Sequence, residues 1–593
     1  MNATQTADLP AIQYTIWSAD LHGHRFGVKL RIENPSPDGQ VLQMPTWIPG
    51  SYLIRDFSKH IESIEAYAVE NPNQPLTLER INNDQWRLPQ ISGPVEIITT
   101  IYAFDSSVRA AYLDTERAFI NPSSLCLAVK GQESLPCALV LIPPKDACSH
   151  SWTVQTGLRA AKVDAQGYGF YLAKDYDDLL DHPIAMGEFQ IAQWQSNGTP
   201  HAMAIQGCIH EVDLERLQDD LQAICTSTIG LFEPKTKKAP FQSYLFLVNA
   251  ILAGYGGLEH RNSTALLCKR DQIPQMNTPL DESAYREFLG LCSHEYFHAW
   301  LVKRIQPKAF QPYQLDRRNH TRLLWLFEGF TSYYDDLQLL RSKRIDLKTY
   351  LKLVANNWNG ILRGPGRLKQ SLADSSFDAW TKYYQADENT PNAVVSYYGK
   401  GALLALGLDL KIRDFTKNRQ SLDDVMRAIW HKHGVTLEGI AEDGLDAIVI
   451  QVIGSGFTKT WNEFKTRYIF GSEDIPIQRW LPNTITAKPK SHSKLEKIKL
   501  QLGMRHTEVN GWLKVTHVLD GGAAQLAGLA PGDLLASING ERITAARLDK
   551  VLSSISPDQV FTICFYRDDL EHECMTVLDL NQLPIQFDLI PTA

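Results

Sequence analysis

Cysteine is sparse in this chain and builds no framework. Nine cysteines lie scattered from Cys126 to Cys574, an odd number with no Cys-x-x-Cys spacing. That excludes a disulfide-stapled secreted fold and points to reduced thiols. Long apolar runs are missing too: no segment approaches 18 uncharged apolar residues, so no transmembrane helix is expected. Basic charge is not in excess, the formal net charge being −8, which leaves no positive field for nucleic acid. The opening, MNATQTADLPAIQYTIW, lacks a basic segment followed by an apolar one, so no signal peptide is read there. No internal repeat recurs at a fixed period. These absences point to a cytoplasmic protein with neither nucleic acid nor membrane among its partners.

What remains is ordinary globular material, 44% hydrophobic and 21% charged, enough for a buried core. The length of 593 residues suggests roughly four domains, but composition shifts mark three. Residues 1–195 read as β-rich, with RFGVKLRIEN, PVEIITTIYAF and CALVLIP as short β-favouring runs bounded by turn residues. Residues 196–482 pass from strand-like runs such as FQSYLFLVN to long helical segments. One helix starts at SLDDVMRAIWHKHG, with Ser421 as N-cap, Asp424 in the capping-box position and Gly434 as the stop. His431 and His433 then read as solvated residues of a helix end. Residues 483–494, rich in Pro, Ser, Thr and Lys, read as a linker. Residues 495–593 return to short strands. The fold class is therefore multidomain α+β.

The chemistry concentrates in GLCSHEYFHAWLVKRI, residues 290–305. A helix apolar nearly all round is an interior helix, and polar groups buried in it cost roughly 2–7 kcal/mol unless paired. His294 and His298 are four apart and share one helical face, so both imidazoles can reach one ion. Glu295, one step round, can contact a water on that ion. A third ligand is expected downstream, and LLWLFEGFTSYYDDLQLL offers Glu328, flanked by Leu326, Phe327 and Phe330. A buried ion pair would also explain that carboxylate. Two histidines and one glutamate make the catalytic type of zinc site, three protein ligands with a position left for water. Glu295 would then act as general base on that water.

The oxyanion formed by attack on a carbonyl needs a second donor, and Tyr397 and Tyr398 in VVSYYGKGALLALGLDL are candidates. In AGYGGLEHRN, Gly256 and Gly257 allow close backbone approach to a ligand, and Glu259 follows at once. A dinucleotide loop would need a third Gly and a following helix, and both are missing. Glu259 could clamp a substrate's protonated amine or be a plain turn residue. IGSGF has no nucleophile-elbow form.

HEYFHAWLVKRI, LLWLFEGFTSYY and VVSYYGKGALLALGLDL, with PTWIPGSYLIRDFSKHI, FINPSSLCL and QSLADSSFDAW, resemble in order the blocks of the glycyl aminopeptidase family of zinc metallopeptidases. That family is related to the aminopeptidase N group. The resemblance implies an N-terminal β-sandwich-like domain, a thermolysin-like, mostly helical catalytic domain and a C-terminal PDZ domain. It also implies one Zn2+ per chain on His294, His298 and Glu328, Glu295 as base, and Tyr398 rather than Tyr397 on the oxyanion. Trp300 matches the Trp that follows H-E-x-x-H-x in both groups. The spacing from His298 to Glu328 exceeds that of the aminopeptidase N pattern, and Pro307 and Pro312 imply an ordered excursion. GGLEH resembles the exopeptidase motif G-x-M-E-N, with Leu258 for Met and His260 for Asn, which places Glu259 on a free amine. Leu502, Gly503 and Met504 sit where a PDZ carboxylate loop would be, and GLAPGDLLASING resembles the heart of such modules.

The expected function is zinc-dependent removal of small N-terminal residues (Gly or Ala) from peptides with a free amine. A peptide C-terminus at the PDZ domain is a further expected partner. The alternatives are a PDZ-assisted zinc endopeptidase and a PDZ scaffold with a vestigial site.

Overall fold

The computed structural model describes residues 10–145, 149–580, 583 and 585–592. The first nine residues, part of the stretch read as carrying no signal peptide, and Cys148 lie outside the described residues. The eight described cysteines are free thiols. Among the described residues no helix is long and apolar enough to cross a membrane.

The chain forms two compact units. The first comprises Met1–Asn319, Arg341–Arg344 and Met426–Ala441, and the second comprises His320–Leu340, Ile345–Val425 and Glu442–Ala593. The stretch 196–482, expected as one domain, therefore contributes to both.

The first unit begins with an eight-stranded sheet. Its order is Arg159–Val163, Gly169–Ala173, Cys137–Leu141, Ile12–Asp20, Arg25–Ile32, Val95–Tyr102, Ile61–Ala68 and Asn71–Leu76. The three runs singled out in the sequence supply three of these strands. Alternation sends Ile12, Tyr14 and Ile16 inward against Phe26, Val28, Leu30 and Ile97. Beyond it lies a five-stranded sheet ordered Gln190–Ser196, Thr199–Gln206, Tyr244–Ile251, Ser263–Lys269 and Gly256–Glu259. Its central strand pairs in parallel with both neighbours and reads YLFLVNAI, the near-continuous apolar run of a strand buried on both faces. Gly256–Glu259 is the outer strand, paired antiparallel with Ser263–Lys269. The Glu282–Phe297 helix packs on these last two strands. Asp281 caps it, its carboxylate accepting the N–H groups of Ser283 and Ala284.

In the second unit the Leu324–Arg341 and Gly399–Thr416 helices cross where two glycines meet. A Cβ built on Gly329 would lie 2.6 Å from the Gly401 Cα, so only glycine permits this approach. At the start of the helix expected from Ser421, the Asp424 carboxylate accepts the Ser421 N–H at 2.8 Å. The helix runs Leu422–Ile429 and widens over Trp430–Gly434. His433 departs from expectation: it is buried, with Nδ1 2.9 Å from the Glu438 carbonyl, because the chain turns back over it.

The expected linker is not featureless either. Ile485–Pro489 is a strand paired antiparallel with Phe587–Pro591 at the far end of the chain. Its β-branched Ile485 and Thr486 favour a strand once that partner is present. Phe587 also stacks on Trp358, ring centroids 4.5 Å apart, and exchanges two backbone hydrogen bonds with the Asn359 side chain. Between these paired strands lies a small α+β module around Leu513, Val515, Leu535, Val551 and Ile563. Its sheet runs Met504–Val509, Trp512–Val518, Leu534–Ile538, Phe561–Arg567 and Leu570–Thr576. Asn392 holds this module on the helical part, its amide binding the Val518 carbonyl at 2.8 Å and the Asp520 N–H at 2.9 Å. Leu502 ends the Lys494–Leu502 helix, Gly503 leaves it at φ +65°, and Met504 opens the first strand. The Gly503 N–H donates to the Lys499 carbonyl at 3.3 Å, so the helix end already uses one N–H that a bound carboxylate would seek.

Candidate metal centre

The Glu282–Phe297 helix ends with His298 as its C-cap, so the two histidines lie in its last turn. Their Nε2 atoms stand 3.1 Å apart, and the rings are nearly perpendicular. His298 Nδ1 lies 3.0 Å from the Leu301 carbonyl. A carbonyl only accepts, so Nδ1 carries the proton and Nε2 presents its lone pair, the arrangement that orients an imidazole for a metal. Two nitrogens held by one zinc, each at about 2.0–2.1 Å, stand about 3 to 3.4 Å apart. The observed spacing and donor set fit that ion.

The turn after His298 is tightly specified. Ile305 donates its N–H to the Trp300 carbonyl, and Val302 donates to that of Ile305, both at 2.9 Å. Val302 sits at φ +80°, rare for a β-branched residue and worth about 1–3 kcal/mol of strain. Trp300 is fully buried and stacks on Phe232 with centroids 5.1 Å apart. The excursion through Pro307 and Pro312 is ordered: Thr46 donates its N–H to the Leu315 carbonyl, and Trp47 Nε1 donates to that of Gln314.

Glu259, Glu295 and His298 are all buried, with ligand atoms within 4.8 Å of one another. Two carboxylates therefore converge beside a nitrogen of His298, a concentration of negative charge that favours a cation. Glycines make room for both. A Cβ on Gly257 would lie 2.5 Å from the Glu295 Cγ, and one on Gly50, itself at φ +93°, would lie 2.6 Å from Glu259 Oε1. Gly256 belongs to the same outer strand as Gly257.

His260 and Arg261, next in the chain, join a buried ionic cluster. Lys303 Nζ lies 2.5 Å from Asp181 Oδ1, and His260 Nδ1 lies 3.4 Å from the same oxygen. Burial alone would raise the Asp181 carboxyl, but the Lys303 and Arg261 cations overcome it and hold it well below the usual range. Burial pushes His260 down to about 4 against the pull of Asp181, so the ring is neutral. The departure from Asn to His at 260 is thus matched by an acidic partner from the N-terminal region.

In the second unit, Glu328 is buried one residue before the Gly329–Gly401 crossing. Tyr398 caps the Gly399–Thr416 helix and lies 3.0 Å, oxygen to oxygen, from Tyr384. Burial, then the negative charge of Glu328, raises the Tyr398 hydroxyl well above the usual range, so it remains a donor. Tyr397 is fully buried and packs against Tyr383 and Tyr398. Sequence reasoning missed Gly50 and Asp181. The only signals were the turn-forming Pro-Gly of WIPGSY and an acidic run, DYDDLLD, whose partners lie far away in the chain.

Matches to domain families fall in three stretches: the Peptidase M61 N-terminal domain over residues 13–188, M61 glycyl aminopeptidase over 287–404, and a PDZ domain over 493–559. No curated protein sequence matches the chain. Among solved structures, an aminopeptidase N family protein from Idiomarina loihiensis is 37% identical over 98% of each chain, with a TM-score of 0.91. An M1 zinc metallopeptidase from Deinococcus radiodurans is 12% identical over 77% of this chain and 93% of that one, with a TM-score of 0.45. Native yeast LTA4 hydrolase is 12% identical over 84% and 73%, with a TM-score of 0.43. With the family blocks in order and the Idiomarina likeness spanning almost the whole length, the chain belongs to the M61 glycyl aminopeptidase family of peptidases and carries a C-terminal PDZ domain.

Proposed function

We propose that this chain is a zinc aminopeptidase that removes small N-terminal residues, Gly or Ala, from peptides with a free amine. His294, His298 and Glu328 would hold the single zinc. Bound there, zinc supplies a water of lowered pKa, about 7, and polarises the scissile carbonyl. Glu295 would act as general base on the attacking water and then protonate the leaving amine, a general acid–base role worth about 10²–10⁴-fold. Tyr398, kept protonated, donates to the developing oxyanion. Glu259 pairs with the substrate's ammonium, while Gly256 and Gly257 let its backbone approach the outer strand. The observation that carries this reading is the pair of Nε2 atoms 3.1 Å apart, with the His298 tautomer fixed by the Leu301 carbonyl.

The PDZ match supports capture of a peptide C-terminus along Met504–Val509, the outer strand of its sheet. Eight free thiols support a reducing, cytoplasmic setting. The test compares free-amine and N-acetylated forms of one peptide, each with and without a chelator. Cleavage of the free form alone, lost on chelation, is the expected result. Equal cleavage of both forms removes the aminopeptidase reading and leaves an endopeptidase; activity indifferent to chelation removes the metal.

A further inference from the structure

We propose that Arg109 receives the free C-terminal carboxylate of the substrate, which makes peptides of two or three residues the favoured substrate class. The proposal rests on the aminopeptidase reading and adds the other end of the substrate.

Arg109 lies in the loop between the Val95–Tyr102 and Ala111–Leu113 strands of the N-terminal region, outside every motif used above. It reaches the outer strand of the five-stranded sheet. Its Nη2 donates to the Gly257 carbonyl at 3.2 Å, and its Nη1 lies 3.7 Å from where a Gly256 Cβ would stand. Nε is buried with no hydrogen-bond partner. Among the described residues no carboxylate pairs with this guanidinium, although arginines elsewhere in the same unit, Arg25, Arg31 and Arg261, have acidic partners. A half-buried guanidinium with one anchored nitrogen and unmet donors is built to receive an anion, and a carboxylate matches its planar fork.

The position along the strand says which carboxylate. A peptide whose amine meets Glu259 and which extends back along the strand passes Gly257, where Glu295 packs and the bond would be cut. It then reaches Gly256. Three strand residues cover about 10 Å, the end-to-end reach of an extended tripeptide. A longer substrate places a peptide carbonyl beside Arg109 instead, and a carbonyl carries no charge to offer it.

The experiment compares Ala-Ala, Ala-Ala-Ala and Ala-Ala-Ala-Ala-Ala, each as free acid and as C-terminal amide, and each also N-acetylated. In the unaltered protein the free acid of the short peptides should exceed its amide in kcat/KM by roughly 10- to 100-fold, the effect of one charge-assisted bond. The pentapeptide pair should differ by less than about twofold. Arg109→Met should bring short acids down to their amides. Acid and amide forms of equal rate in the unaltered protein overturn the proposal, as does an acid preference that survives in Arg109→Met. Should that variant not fold, the acid–amide series on the unaltered protein still decides. A free amine that is required while acid and amide react alike sinks only the Arg109 assignment. Acetylated peptides cut as fast as free ones sink the aminopeptidase reading itself.

Discussion

Gly257→Ala should separate catalysis from folding. The new methyl would stand 2.5 Å from the Glu295 Cγ and closer still to its carboxylate, about 1 Å short of ordinary carbon–carbon contact. Gly257 does not occupy the left-handed region, so alanine meets no backbone obstacle there. The group in the way is the end of a flexible side chain, which turns aside by changing rotamer. Such a move costs about 0.5–1.5 kcal/mol and leaves the core intact. Catalysis is less forgiving. A misplacement of about 1 Å can cost roughly 10²-fold, and the base as a whole is worth about 10²–10⁴-fold. The expected result is a kcat at least about 100-fold lower, with the melting temperature within a few degrees and one metal per chain retained. Peptide hydrolysis, scanning calorimetry and metal analysis read the three quantities. A kcat within about twofold of the unaltered protein would refute the placement of Glu295 over the strand.

Three further outcomes are expected. Glu295→Gln should lower hydrolysis by about 10²–10⁴-fold while metal stays bound, and unchanged turnover with full metal content would overturn the assigned base. Gly329→Ala sets a methyl 2.6 Å from the Gly401 Cα, which is backbone and cannot turn aside. Overpacking of this kind costs about 1–3 kcal/mol, so calorimetry should show a lower melting temperature, and an unmoved one would deny the close crossing. Burial lowers His201 to about 4 from its usual 6.5, so unfolding takes up a proton between those values. Stability from this group is present above about pH 6.5, falls by about 3 kcal/mol as pH drops, and levels off below 4. Denaturant titrations from pH 7 to 4 should flatten in His201→Gln, and an unchanged slope would contradict a neutral buried ring.

The sequence carried its strands and helices where a single period persists. FQSYLFLVN and LLWLFEGFTSYYDDLQLL became a buried strand and a long helix because burial on all sides leaves little choice. The two histidines, Glu295 and Glu328 stood out for the same reason: charge in apolar company asks for a partner. What stayed hidden depends on pairing over long separations. Arg109 reaches Gly257 across 148 positions, and Asp181 meets His260 and Lys303 only in the fold. Gly50 meets Glu259 only in the fold, more than two hundred positions further along the chain. The strand Ile485–Pro489 read as a linker because its partner edge lies in the last residues described. Nor does composition show that His433 is roofed over, since HKHG is as polar as any exposed helix end.

The strand pair formed by Ile485–Pro489 and Phe587–Pro591 means the PDZ module is laced at both ends, not hung from a single thread. Its entry and exit lie side by side, and the exit is pinned by the Trp358 ring and the Asn359 amide. A pull on the module is therefore felt on the Leu347–Arg363 helix, and through Asn392 on the segment leading to Tyr398. Removing Phe587–Pro591 would break this strand pair and the hold on Trp358 and Asn359, leaving the module fastened through Asn392.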